Sequence, residues 1–363
     1  AGPYAIGVIN IQQRAEGAVP ATNFTALRLR RNILQNSDVG VMVLNRESGS
    51  GSYNRFVGAD VNLRFFRNFN VFALGARTLS PDAVVGTDGR DTMWRGGYQY
   101  RGTVFEASGS VASTGDRFND EMGYVPQVGY TRADSRMGLH LRSSAYPSWL
   151  REIYPHYNIV YGERTKTGRF DARYQDFHLP LSFQNSSSIE IGMNTNVEEL
   201  TSVFSVSPAR QVTVAAGRYA YDEYFVGGNT DKSARVYVQG RLGVGDFYDG
   251  QKTNVMFGVQ VRANERVNGG VNWTRNDISL KAGQYVSDLV AGRVNVSFST
   301  QTFLNALVQY NTDLKQWTSN VRFNIIHRPL SDFFLVYNDR RDTVTQALVD
   351  RALVAKITWL VAF

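Results

Sequence analysis

The chain has 363 residues, 43% of them apolar and 20% charged, a globular rather than a disordered composition. Its net charge of +7 rests almost wholly on arginine, and the basic residues follow no nucleic-acid-binding motif. There is no cysteine, which excludes a disulfide framework and a cysteine-ligated zinc site.

Aromatic residues reach 12%, with 33 Gly and only 9 Pro, a mixture that favours many strands joined by polar turns. No apolar run approaches the roughly 18 residues of a spanning helix. The mean hydropathy of −0.29 reads as soluble. For a β-barrel that average misleads, because only alternate residues face lipid. The chain begins at Ala1 without Met or a leader, so it is expected to be a mature form or part of something longer.

Tyr4 to Ile11 opens the chain and runs into a polar connection through Gly17 and Pro20. From Phe24, Leu27 and Leu29 alternate with Arg28 and Arg30, and Val39 to Leu44 is a short apolar strand. Ala59, Val61, Leu63 and Phe65 then oppose Asp60, Asn62 and Arg64, and Phe69, Val71 and Ala73 keep the beat. Ser80 to Asp91 reads as an exposed loop. Strand patterns are expected at Met93–Tyr100, Thr103–Ala112, Met122–Thr131 and Met137–Ala145. The middle, Trp149–Asp176, is irregular, and the pattern blurs again around Pro208.

The C-terminal third is the cleanest. Val255, Phe257, Val259 and Val261 oppose Asn254, Gln260 and Arg262. Val294, Val296 and Phe298 oppose Arg293, Asn295 and Ser297, and Val321, Phe323 and Ile325 oppose Asn320, Arg322 and Asn324. One nearly pure apolar face and one of Arg, Asn, Gln or Ser is the distribution of a lipid face and a wet lumen. Short connections at Ser299–Gln301 and His327–Ser331 contrast with longer ones expected at Val244–Gln251 and Arg340–Leu348. Short turns belong to the periplasmic end. The last strand alternates through Leu353, Ala355, Ile357, Trp359, Val361 and Phe363. It is similar to the C-terminal signal by which bacterial outer-membrane barrels are inserted, carried by Ile357, Trp359, Val361 and the terminal Phe363.

The stretch Asn324-Ile-Ile-His-Arg-Pro-Leu-Ser-Asp-Phe-Phe-Leu-Val-Tyr-Asn-Asp-Arg-Arg-Asp342, the opening Gly2-Pro3-Tyr4, Thr22-Asn23-Phe24 with Leu29-Arg30-Arg31, and Gln309-Tyr310-Asn311 carry a family resemblance. The chain resembles the C-terminal domain of unknown function in bacterial proteins with an N-terminal family 9-like carbohydrate-binding module. The resemblance implies an outer-membrane barrel tethered to a soluble module that is not in this sequence. It implies no activity and no site residue.

The histidines, His140, His156, His178 and His327, are widely spaced, and no nucleophile elbow, zinc-type histidine pair or phosphate-cradling loop stands out. Acidic groups at Asp246–Asp249 and Asp339–Asp342 read as solvated loops, the latter paired locally with Arg340 and Arg341. Trp273, Tyr310, Trp317, Tyr337 and Trp359 read as interfacial girdle residues. The polar-face arginines Arg64, Arg235, Arg262, Arg293 and Arg322 carry the functional content. They either make a pore that favours anions or pair with lumen acids such as Asp60 and Glu190.

The expected fold is a single all-β, transmembrane antiparallel barrel of about 20–22 strands over residues 1–363, located in the bacterial outer membrane. A direct strand count comes out odd; such barrels are usually even, which points to a strand missed or split in the irregular middle. The leading functional expectation is a pore or export/transport conduit linked to a partner or N-terminal module. The alternatives are a non-conducting anchor or scaffold and, last, a barrel-embedded hydrolase. No enzymatic activity, cofactor, metal or nucleic-acid partner is expected. Partners would be outer-membrane lipid, the barrel assembly machinery and a periplasmic or surface module or larger complex.

Overall fold

The computed structural model describes residues 2–49, 51–81 and 90–360. These hold 23 strands, of which β13 (Phe204–Ser207) and β14 (Val212–Val214) form a hairpin of their own; the other 21 are sheet strands, within the expected 20–22. No described helix is long and apolar enough to cross a membrane. The chain divides into two compact units, one of Ala1–His140, Pro155–Asp176 and Asn196–Glu199, the other of Leu141–Tyr154, Phe177–Thr195 and Leu200–Phe363.

The first unit is an antiparallel ladder in chain order. It runs through β1 (Tyr4–Gln13), β2 (Thr22–Ile33), β3 (Ser37–Ser48), β4 (Ser52–Phe65), β5 (Phe69–Leu79), β6 (Thr92–Arg101), β7 (Phe105–Thr114) and β8 (Tyr130–Leu139). β9 (Leu150–Ile153) belongs to the second unit, and β10 (His156–Arg164) pairs with β8. Connections at one end are the three-residue turns 34–36, 66–68 and 102–104. Leu34, Asn36 and Phe66 take positive φ there. At the other end 14–21, 80–91 and 115–129 are longer, as barrel loops are, whereas 49–51 and 165–169 at that end stay short.

The second unit holds β9, which pairs with the end of β11 (Phe170–Phe183), most of β12 (Ser188–Leu200), the β13–β14 hairpin and a nine-strand ladder. That ladder is β15 (Gly217–Asn229), β16 (Val236–Phe247), β17 (Gly250–Arg262), β18 (Val267–Leu280), β19 (Gly283–Ser297), β20 (Thr302–Asn311), β21 (Gln316–Arg328), β22 (Ser331–Asp342) and β23 (Leu348–Ile357). Each strand pairs antiparallel with the next.

Several expected boundaries are corrected. Met122–Thr131 is a loop up to Gly129, and the strand there is β8, Tyr130–Leu139, rather than Met137–Ala145. Met122, Tyr124, Val128 and Tyr130 recur at even spacing and imitate a strand, yet Tyr124 is 89% exposed. Val244–Gln251 is not a long loop: β16 continues to Phe247 and turns in two residues into Gly250. Its glycines lie within the strand for want of room, since a Cβ at Gly243 or Gly245 would come 2.5 Å from Glu223 Oε1 or 2.0 Å from the Asp222 carbonyl. From β15 to β23 the connections are therefore short at both ends, and the loop-length contrast is confined to the first unit. Most of Ser80–Asp91 lies outside the described residues.

Candidate functional site

In β17–β23 the two faces separate residue by residue. On one face Val255, Phe257, Val259 and Val261 of β17 register with Arg275, Trp273, Val271 and Gly269 of β18. The same face continues through Leu304, Ala306 and Val308 of β20 to Val321 and Phe323 of β21, then to Leu335 of β22 and Ala355 of β23. Charge enters this face only past the aromatics. Trp273 donates through Nε1 to Asp288 at 2.8 Å, and Tyr337 donates to Asp339 at 3.1 Å. Beyond them come the Arg275–Asp288 pair at 3.7 Å and Asp339 held by Arg341 and Arg351. A charge facing lipid costs about 2–4 kcal/mol at mid-membrane and about 0–1 near the interface, which places these pairs outside the apolar belt. Along β21 the belt from Trp317 to Ile325 measures roughly 27 Å at about 3.4 Å per residue, enough for the tilted strands of an apolar band.

The expected aromatic girdle is thereby located. Tyr310 and Trp317 face each other across β20 and β21 with ring centroids 6.4 Å apart. Trp359 sits toward the opposite end, where the His327 ring lies 4.8 Å away and the Arg328 guanidinium covers it at 4.8 Å. Of the insertion signal, Ile357 registers with Phe333 on the apolar face and Trp359 is 56% exposed; Val361 and Phe363 lie outside the described residues.

The other face of the second unit carries the chemistry, and part of it is covered by chain. Segment 201–216 folds as the β13–β14 hairpin, and Val212 and Val214 pack against Ile278 and Leu280. Those two residues share the strand parity of Asn268 and Asn272, so the hairpin lies on the polar face of β18. Tyr219, Phe247, Tyr248 and Tyr285 close over the contact, and Val214 is 0% exposed. At the hairpin tip Pro208–Arg210 make one 3-10 turn, ended by Gln211 at φ 56°. Ser207 Oγ donates to Asp313 Oδ2 at 3.0 Å, and Arg210 Nε meets Asp313 Oδ1 at 3.0 Å, which ties the tip to the β20–β21 turn.

A second group is a hydrogen-bonded relay across β11, β12, β15 and β16. His178 Nδ1 meets Glu190 at 2.9 Å, and its Nε2 meets Asn194 Oδ1 at 3.0 Å. Asn194 donates to Glu223 at 2.7 Å, and Glu223 accepts from Arg241 at 3.3 Å. Phe225 is packed edge-on by His178 and face-on by Arg241, whose guanidinium carbon is 4.0 Å from the ring centre. The relay tethers β11, β12, β15 and β16 to one another, and within it Arg241 Nε is buried without a hydrogen-bond partner.

The five candidate arginines are distributed as follows. Arg262 closes β17 and donates to the Ser233 carbonyl at 2.8 Å; Arg235 lies in the adjoining turn 230–235 rather than in a strand. Arg293 lies in β19, and Arg322 in β21, face-on to Phe334 at 4.2 Å. Arg64 is exposed near the end of β4. Among the described residues none of the five is ion-paired. The acids expected to neutralise them are taken elsewhere: Glu190 by His178, and Asp60 by Arg28, whose Nη2–Oδ1 bond is 2.8 Å. Arg28 reaches Asp60 across β3 at Gly40, where a Cβ would stand 2.5 Å from the guanidinium.

In the first unit, sequence reasoning missed Asn54, 1% exposed. It donates to Ser80 Oγ and to the Asn119 carbonyl, each at 2.7 Å, and accepts from the Glu121 N–H at 3.1 Å. With Phe118 against Phe56 and Arg46 paired to Glu121 at 2.8 Å, it fixes the 115–129 connection on the polar face of β3–β5.

No protein-family model matches the chain. No curated protein matches it either. Solved structures do. The siderophore receptor PirA from Acinetobacter baumannii superposes with a TM-score of 0.59 at 9% identity, over 99% of this chain and 73% of that one. PirA from Pseudomonas aeruginosa gives 0.58 at 9% identity over 98% and 72%, and a ferric enterobactin receptor mutant from the same species 0.58 at 8% over 97% and 71%. The chain has the outer-membrane β-barrel fold. With that fold comes its location, the bacterial outer membrane, and the apolar belt is its lipid surface. At such identity the likeness concerns fold alone.

Proposed function

We propose that the protein is a transport barrel, a single domain that passes a solute through its polar interior, with segment 201–216 as the constriction. The observation that carries this is the β13–β14 hairpin on the polar face of β18, held by Val214 and Arg210. A loop outside the barrel would have no reason to bury apolar residues against that face. Solved structures of similar fold include receptors named for siderophores and ferric enterobactin, which supports transport without naming this chain's solute. The family resemblance adds a module on the N-terminal side that would deliver or select the solute. Lipid and the barrel assembly machinery complete the set of partners. For a non-enzymatic reading, three of the four histidines are already engaged: His140 lies 3.6 Å from Glu106, His178 is in the relay, and His327 stacks on Trp359.

The test is single-channel conductance of the purified chain in a planar bilayer. Conductance that rises when 204–214 is replaced by a short Gly/Ser linker supports a gated conduit. A folded barrel that stays silent both with and without the hairpin would sink it. The second reading, an anchor for a larger assembly, is favoured by the relay and the hairpin together, which fill space on the polar face.

A further inference from the structure

Residues 236–328 contain six acids. Asp249, Glu265 and Asp313 lie in turns. Asp246, Asp277 and Asp288 share the parity of the apolar face, beyond its belt. The polar face of β16–β21 therefore carries no carboxylate. On that face Arg262 of β17 registers with Asn268, Asn268 with Asn295, Asn295 with Asn305, and Asn305 with Arg322 of β21. One step along, Arg293 of β19 registers with Gly270 and Leu307. The three arginines thus stand on every second strand, about 10 Å apart across the strands at about 4.8 Å per strand, with Arg293 set about 7 Å along its strand from the other two. Carboxamides lie between them, and Asn295 donates to Asn268 at 2.8 Å.

These arginines are charged at any physiological pH. Arg293 and Arg322 have no acid beside them, and Arg262 has only Asp231, in the adjoining turn, within electrostatic reach and not in an ion pair with it. The Ser233 carbonyl occupies one corner of Arg262, and Phe334 takes the plane of Arg322 and not its N–H donors. Elsewhere the same chain does pair its arginines, with Arg28 on Asp60 and Arg351 on Asp339. An Arg-lined, acid-free wall attracts anions and repels cations, and its fork-shaped donors fit carboxylate, phosphate or sulfate oxygens. The amides between them donate to and accept from hydroxyl groups.

We infer that the strip Arg262–Arg293–Arg322 binds an extended, multiply anionic solute whose uncharged part is rich in hydrogen-bonding oxygen. This rests on the transport reading for its purpose but not for its test. The purified barrel, folded in detergent, is titrated calorimetrically with inositol hexakisphosphate and separately with the neutral maltohexaose. Saturable, salt-sensitive binding of the hexakisphosphate alone is expected. Replacing Arg262, Arg293 or Arg322 by Gln should weaken it by about tenfold for each charge-assisted hydrogen bond removed. Arg275→Gln, on the opposite face, serves as the control and should change nothing. Heat-modifiable migration on a gel shows that each variant is folded. Equal binding of the neutral sugar, or hexakisphosphate binding that survives the triple substitution, overturns the inference. In bilayers the reversal potential in a KCl gradient should favour chloride and shift toward zero in the triple variant. A silent bilayer with binding intact would overturn transport and leave the anion site standing.

Discussion

If the β13–β14 hairpin is the proposed constriction, the contacts that hold it should rank in order of burial. Val214 is fully buried between Val212, Ile278 and Leu280, whereas the Arg210–Asp313 pair has side chains 39% and 18% exposed. Val214→Ala removes two methyl groups, worth about 1.6 kcal/mol by transfer and roughly 2 or more with the cavity left behind. Arg210→Ala breaks a partly exposed ion pair, worth about 0.2–1 kcal/mol. Docked-to-open ratios should then fall about 30-fold for Val214→Ala and at most about fivefold for Arg210→Ala, at 1.4 kcal/mol per factor of ten. Dwell times in single-channel records read that ratio. For Val214→Ala, trypsin cleavage after Arg210 in proteoliposomes reads it independently, because a docked 3-10 turn is a poor substrate. The chain has no cysteine, so cysteines placed at 214 and 280 can be cross-linked without competing thiols and should suppress both signals. An Arg210 effect larger than the Val214 effect, or no change from either in a folded barrel, would refute the packing account.

Further expectations follow from particular contacts. Gly250→Ala, at the start of β17, puts a Cβ 1.9 Å from the Ser279 carbonyl of β18, and should yield barrels that lose heat-modifiable migration on gels at lower temperature than wild type. Arg28→Gln and Asp60→Asn should each cost more singly than expected from the double variant, with a coupling of about 1 kcal/mol in urea unfolding. Asp231, in the turn outside the membrane, accepts hydrogen bonds from the Ser233 N–H and hydroxyl, which lower its pKa below the usual 3.8. Its tether is intact above that value and lost as pH falls through the lowered one; a carboxyl NMR titration should show the pKa rise in Ser233→Ala. A Ser233→Ala protein with an unmoved Asp231 titration would contradict the assignment.

What was legible in the sequence is what lipid enforces. Acyl chains tolerate no charge opposite Val255–Val261 or Val321–Ile325, so those faces are nearly pure and a period of two reveals them. The interior has no such uniformity. Phe118, Val212 and Val214 are short apolar stretches whose burial depends on strands far away in sequence, so 115–129 was misread as a strand in part and 201–216 as blurred pattern. Local pattern cannot report a contact between Val214 and Leu280.

The arginines show the same division. Sequence parity placed Arg262, Arg293 and Arg322 on polar faces, but whether they were neutralised depended on which acid each strand brings alongside. Register answers that. Glu265 and Asp313 lie in turns, the strand acids Asp277 and Asp288 fall on the opposite face of their strands, and Asp60 is met by Arg28 from two strands away. A shift of one residue in β19 would have set Asp288 on the polar face and turned Arg293 toward lipid, at a cost of about 2–4 kcal/mol at mid-membrane. The apolar belt therefore fixes the register, and the register leaves three arginines on the inner wall without a carboxylate. Lipid contact on one side of the sheet is thus the physical cause of the charge pattern on the other, and the charge pattern is what a solute would meet.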